Sequence, residues 1–239
     1  TIFNVGNFDP GVLVSCTIGI RTLIENGDTE DKILLNNIKQ NNYSIFNKLF
    51  SSSVLDVDDY SDIAIYNISN FSQFLINNSS DEDIYNFVMK TNILEFICVN
   101  YNQTYSARIH CSLLDLLISL SNNSVKVVNL ITTENILDLI LSALKNSNYE
   151  IRLKGFIICS NVLSTNNIDI SIKIFKNNIF EQIITDNLYN ETDVKGINYL
   201  LGFFQYFTIS LNQLSLEFAK DILVKISNTL DAIVESNDS

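Results

Sequence analysis

The feature that most constrains this chain is a six-residue motif that returns at a fixed interval of 43 residues. Asn92-Ile93-Leu94-Glu95-Phe96-Ile97 recurs as Asn135-Ile136-Leu137-Asp138-Leu139-Ile140 and as Asn178-Ile179-Phe180-Glu181-Gln182-Ile183. Each copy spaces its apolar residues as one face of a short helix, and a polar break and a longer helix follow. A basic residue near the start of each longer helix keeps nearly the same beat: Arg108, Arg152, Lys195. A unit of this length is one supersecondary element that cannot cover its own hydrophobic face, so consecutive units must stack into a solenoid.

Composition agrees with helix throughout. The 239 residues include one proline and seven glycines, where average usage gives about 12 and about 17. Proline and glycine are the residues that helix interiors exclude, so a chain this poor in them has few places to break. Asn-Asn pairs at 36–37, 41–42, 77–78, 122–123, 166–167 and 177–178 fall mostly between apolar-periodic segments. Asn tolerates the left-handed backbone region and caps helices, so these pairs mark helix ends. The Asn, Ile and Lys bias also fits an AT-rich genome, and the Asn-x-Ser/Thr triplets that come with it are not read as glycosylation sites.

Charge and cysteine usage exclude several function classes. The net charge is −12, against the basic face that nucleic acid and anionic membranes attract. It is compatible with a basic partner segment, but a surface kept soluble by repulsion is the favoured reading. Cys16, Cys98, Cys111 and Cys159 form no Cys-x-x-Cys pair. They read as small hydrophobes in a reducing compartment, so the expected localisation is cytoplasmic, with the nucleus also open. No apolar run reaches the roughly 18 residues of a membrane span. The first residue is not Met, so a processed form or fragment is expected, and any upstream targeting segment lies out of view.

The pattern predicts helices over Pro10–Glu25, Thr29–Lys39, Tyr43–Phe50, Tyr60–Ile76 and Ile84–Lys90. The apolar faces are expected from Leu13, Cys16, Ile20 and Leu23/Ile24 in the first of these, and from Ile65, Ile68, Phe71, Phe74 and Leu75 in the fourth. Short helices are expected over 92–100, 134–145 and 177–188, longer ones over 104–121, 148–164 and 192–210, and small extra helices over 124–131 and 168–176. The acidic runs Asp56–Asp59 and Asp81–Asp83 precede helices, where carboxylates face the positive end of the dipole. Asp56 to Asp62 also invites a calcium-loop reading. Ser61 stands where that loop needs glycine and Asn67 where it needs a bidentate Glu, so the reading fails. Gln213–Val234 reads as a polar-sided helix closing the last hydrophobic face, with a frayed tail behind it. No Pro/Gly/Ser-rich linker divides the chain. We therefore expect one domain over 1–239, with clear repeats at 91–210, irregular ones at 9–90 and a cap at 213–234, four to five units in all.

The run Asn148-Tyr-Glu-Ile-Arg-Leu-Lys-Gly-Phe-Ile-Ile-Cys-Ser-Asn-Val-Leu-Ser164 resembles the third helix of an armadillo repeat. In that family an apolar and a basic residue open the helix, a small residue (here Gly155) lets helices approach, and the helix closes on Ser-Asn-Leu, here Ser160-Asn161-Val162. Asn135 to Ile140 is similar to the family's second helix. The resemblance implies an all-α, right-handed armadillo-like superhelical solenoid. It also implies a concave wall on the third helices, carrying Leu113 and Leu117, then Ile157 and Asn161, then Leu200 and Phe204. If exposed, these form an apolar groove for a partner helix or a hydrophobic edge; the competing reading is that they are plain core. Nuclear-import members carry a Trp/Asn ladder on these helices. Here Ile157 holds the Trp position and Leu117 and Phe204 hold the Asn positions beside Asn161, which argues against that binding mode.

Residues with catalytic chemistry are sparse. His110 and Cys111 are neighbours on one helix, where side chains point about 100° apart, so they cannot share a proton directly. There is no zinc ligand set, phosphate loop, nucleophile elbow or dinucleotide fingerprint. No cofactor, metal, catalytic residue or small-molecule substrate is expected. Arg108, Arg152 and Lys195 form a spaced basic row for an acidic partner tail, unless each pairs with a carboxylate of the neighbouring repeat, as Glu150 suggests for one of them. The expected function is a non-enzymatic adaptor or assembly chaperone that binds a client protein through the concave face. Among client-binding armadillo branches the pattern leans to proteasome regulatory-particle assembly. The alternatives are a structural subunit of a larger complex, or a regulatory module of the myosin, formin or Hsp70 type.

Overall fold

The computed structural model describes residues 43–50, 61–177, 179–183 and 192–212, together with Val12, Ser15, Ile18, Gly19, Thr22, Ile38, Lys220, Val224, Ser227 and Asn228. Among the described residues every regular element is a helix. In chain order these are α1 (Ser44–Leu49), α2 (Ser61–Asn77), α3 (Asp81–Lys90), α4 (Ile93–Gln103), α5 (Ala107–Ser121), α6 (Val125–Ile131), α7 (Glu134–Leu144), α8 (Tyr149–Ser164), α9 (Ile168–Lys176), α10 (Ile179–Gln182) and α11 (Val194–Leu211). The helices expected between Tyr43 and residue 176, and the one expected over 192–210, appear within a few residues of their expected ends, and of the 177–188 helix Ile179–Gln182 is described. Three successive triplets, α3–α4–α5, α6–α7–α8 and α9–α10–α11, carry the repeat. The chain divides into two compact units, residues 1–120 and 121–239.

In the first unit the core is aromatic. Phe46 of α1 stacks on Phe71 of α2 at 5.2 Å and meets Phe87 of α3 edge-on at 4.8 Å. Phe50 packs on Phe96 of α4 at 4.8 Å. Tyr43 enters α1 in the left-handed region, with φ 58°. Its ring lies 5.2 Å from Phe87 and its hydroxyl donates to the Asp83 carbonyl at 3.0 Å, so tertiary contacts hold a conformation that a non-glycine residue seldom adopts. Burial of that hydroxyl, with Asp83 adding to it, pushes its pKa up to about 12. The acidic run Asp81–Asp83 forms the first turn of α3 instead of preceding it, and its carboxylates still stand at the positive end of the dipole. Ser80 accepts from the Asp83 backbone N–H and donates its own hydroxyl to the Asp83 carboxylate, a close relative of the capping box. On α2, Ile65, Ile68, Phe71 and Leu75 are buried and Phe74 is half-buried.

In the second unit the α6 and α7 axes meet at 80°. Behind them α8 packs against both α7 and α11. The Asn166-Asn167 pair performs both roles expected of such pairs. Asn166 turns the chain at φ 51°. Asn167 then accepts the Asp169 and Ile170 amides at the start of α9. Asn148 caps α8 and Asp193 caps α11 in the same way. Polar contacts tie successive repeats: Lys173 Nζ donates to Asn129 Oδ1, and Asn177 Nδ2 to Asp138 Oδ1, each at 3.1 Å.

Most of Pro10–Glu25, Thr29–Lys39 and Gln213–Val234, with Cys16, Asp56–Asp59 and the end of the 177–188 helix, lies outside the described residues. Val12, Ser15, Ile18, Gly19 and Thr22 are helical and exposed, as are Lys220, Val224, Ser227 and Asn228. Among the described residues no single helix is long and apolar enough to cross a membrane.

Candidate functional site on the third helices

Burial fixes the true register of the longer helices. Ile109, Leu113, Leu117 and Leu120 of α5 correspond to Ile151, Gly155, Cys159 and Val162 of α8, each pair 42 residues apart and every member buried. Ile151, Gly155, Ile158 and Val162 correspond in turn to Gly196, Leu200, Phe203 and Phe207 of α11, each 45 apart and again all buried. The intervals used for the wall, 44 and then 43 residues, are therefore wrong by two in each direction.

This corrects the expected groove. Leu113, Leu117 and Leu200 are core residues and line no groove. Leu113 and Leu200 are instead the counterparts of Gly155. Ile157, Asn161 and Phe204 are half-buried and reach the surface. The counterparts of Ile157 and Asn161 are Asp115 and Ser119 on α5 and Gly202 and Tyr206 on α11, and these four are also half-buried. Counted from the first residue of each helix (Ala107, Tyr149, Val194), the partly exposed position is the ninth in all three.

Within the second unit α8 and α11 lie side by side. A Cβ on Gly202 would sit 3.5 Å from Ser160 Oγ. Their outward faces mix apolar groups with amides: Leu153, Ile157 and Asn161 on α8, and Asn198, Leu201 and Gln205 on α11. Asn161 Nδ2 donates to Ser121 Oγ at 3.1 Å, which holds its side chain in place. The exposed apolar residues of α11, including Val194, Ile197 and Leu201 (60% exposed), escaped the sequence reading. Their helix is apolar on nearly every side, so periodicity alone could not tell its inner face from its outer one.

The basic row does not form as one motif. Arg108 is the second residue of α5 and Lys195 the second of α11, whereas Arg152 is the fourth of α8 and is turned elsewhere. Its guanidinium donates to the Asn146 and Ser147 carbonyls at 3.0 and 2.8 Å, satisfying acceptors just beyond the end of α7. Arg108 is exposed and lies 4.0 Å over the Tyr66 ring, a cation–π contact. Lys195 is exposed, and its backbone N–H donates to the Asp193 cap.

His110 is committed to packing. Its Nε2 lies 3.0 Å from the Tyr101 carbonyl and its ring 4.3 Å from the Tyr101 ring. Burial pushes the Cys159 thiol up to about 12 and raises that of Cys98, so neither is an activated nucleophile. No cluster of His, Cys, Asp and Glu suited to a metal ion occurs among the described residues.

No family model and no curated protein matches the sequence. The fold does have close counterparts among solved structures. A designed armadillo repeat protein, YIII(Dq)4CqI, is similar with a TM-score of 0.66 at 13% identity, over 96% of this chain and 95% of the other. An engineered protein is similar with a TM-score of 0.63 at 11% identity, over 96% and 93%. A second designed armadillo repeat protein, solved in complex with the peptide (KR)4, gives 0.54 at 12% identity, over 92% and 98%. The chain therefore has an armadillo-type α-solenoid fold.

Proposed function

We propose that this protein is a non-enzymatic protein-binding module, an adaptor or assembly chaperone whose third helices receive a segment of a client. The observation that carries this reading is the α8–α11 face, where Ile157 and Leu201 stand beside Asn161, Asn198 and Gln205. Apolar groups supply contact area there, and the amides offer donors and acceptors to a partner's backbone. A neighbour of the same fold was solved holding a peptide, which supports a protein partner. The charges on these helices are mixed, with Glu150, Lys154 and Lys195 on α8 and α11, so charge does not select the partner's sign. Assembly of the proteasome regulatory particle is the client system the sequence pattern favours.

A structural subunit of a fixed complex is the second reading. Val194 and Leu201 are exposed on one side of α11 and Tyr199 on another, about 140–160° away, as a helix held in a permanent interface would show. Affinity capture of the tagged chain from its native lysate, with and without ATP, separates the two. A substoichiometric client whose recovery falls with Ile157→Lys or Leu201→Lys, in variants that remain folded, supports the module. A fixed stoichiometric assembly supports the subunit. Undiminished recovery with both variants removes the α8–α11 face from either account.

A further inference from the structure

In the first unit α2 and α5 run side by side in register. Arg108 lies 4.0 Å over Tyr66. Seven residues further along each helix, Gln73 Nε2 donates to the Asp115 carbonyl at 3.4 Å. Both pairs are 42 residues apart, so the turn between them brings Ser69 and Asn70 of α2 opposite Cys111 and Ser112 of α5. Residues 66, 69, 70 and 73 form one stripe of a helix, and so do 108, 111, 112 and 115. Ser69 and Ser112 are 1% and 6% exposed. Their hydroxyls and the Asn70 Nδ2 are buried without a hydrogen-bond partner in the protein.

We propose that this turn is an internal hydration site, in which one buried water bridges Ser69 Oγ, Ser112 Oγ and Asn70 Nδ2. The donor set fits. Asn70 offers N–H to a water oxygen, and each serine hydroxyl can donate to it or accept from it, which gives the two to four partners a retained water takes. Direct pairing between these groups is not made, although both helices bring them to the same turn. Apolar residues of the same size would have packed here without a partner, so the three polar groups are explained by the water they hold.

A crystal structure of the full chain, at a resolution that shows ordered solvent, tests this. The expected result is a well-ordered peak within hydrogen-bond distance of all three groups, which disappears or loses occupancy in Ser112→Ala. A direct Asn70–Ser112 or Ser69–Ser112 hydrogen bond in place of the peak overturns the proposal, as does a dry contact. If the variant does not fold, the unsubstituted protein alone decides.

Discussion

The hydroxyl of Tyr149, the first residue of α8, donates to Asp193 Oδ1 at 2.5 Å, joining the start of one third helix to the cap of the next. The same carboxylate accepts the Lys195 and Gly196 amides, so one oxygen organises two helix starts. The Tyr149 hydrogen bond, then the Lys195 amide, holds the Asp193 carboxyl below its ordinary value of 3.8. A carboxylate held low in the folded state stabilises it above the unfolded value, and that contribution disappears as pH falls through the folded value. Tyr149→Phe should therefore move the Asp193 titration upward towards 3.8, read by carbon NMR of the carboxyl. An unmoved titration would show that the hydroxyl is not its main partner.

Gly155 sits where a Cβ would come within 3.1 Å of Leu144 Cδ2. Alanine gains about 1 kcal/mol of helix propensity and loses a comparable amount against the buried Leu144. Gly155→Ala is expected near neutral, whereas Gly155→Val should cost about 1–3 kcal/mol through overpacking. Chemical denaturation of the two variants checks the order.

Phe46 is fully buried among Phe71, Phe87 and Phe50. Phe46→Ala should destabilise by about 3–5 kcal/mol, the range for a large aromatic removed from a core. A loss below about 1 kcal/mol would mean that the cluster collapses to fill the space.

The corrected register makes a paired prediction on α5. Leu117→Ala removes a core side chain and should cost about 2–5 kcal/mol. Ser119→Ala, two residues on and half-buried, should cost less than about 1.5 kcal/mol, the upper range for the net worth of one hydrogen bond. Equal effects would return Leu117 to the surface.

Cys159 is fully buried with its thiol pushed up to about 12. At mildly alkaline pH an alkylating reagent should leave it unmodified in the native protein and label it once the chain unfolds. Mass spectrometry of the Cys159 peptide reads this directly. Rapid native labelling would mean that α8 opens readily.

The sequence by itself determined the helices and their order. Proline and glycine are nearly absent, the apolar residues keep helical spacing, and the motif at Asn92, Asn135 and Asn178 returns on schedule. Local signals sufficed for the caps, because the Asn166-Asn167 pair and the Ser80–Asp83 contact act within a few residues of themselves. Only the tertiary structure decided which side of each third helix faces out. Leu113 and Leu117 are as apolar as Ile157, and an offset of two residues turns a helix face by about 200°. Nothing in an evenly apolar helix marks that offset; the packing of α8 against α7 and α11 does. The same holds for Arg152: its beat along the chain matches Arg108, but its guanidinium is drawn to the Asn146 and Ser147 carbonyls, whose position only the folded chain defines.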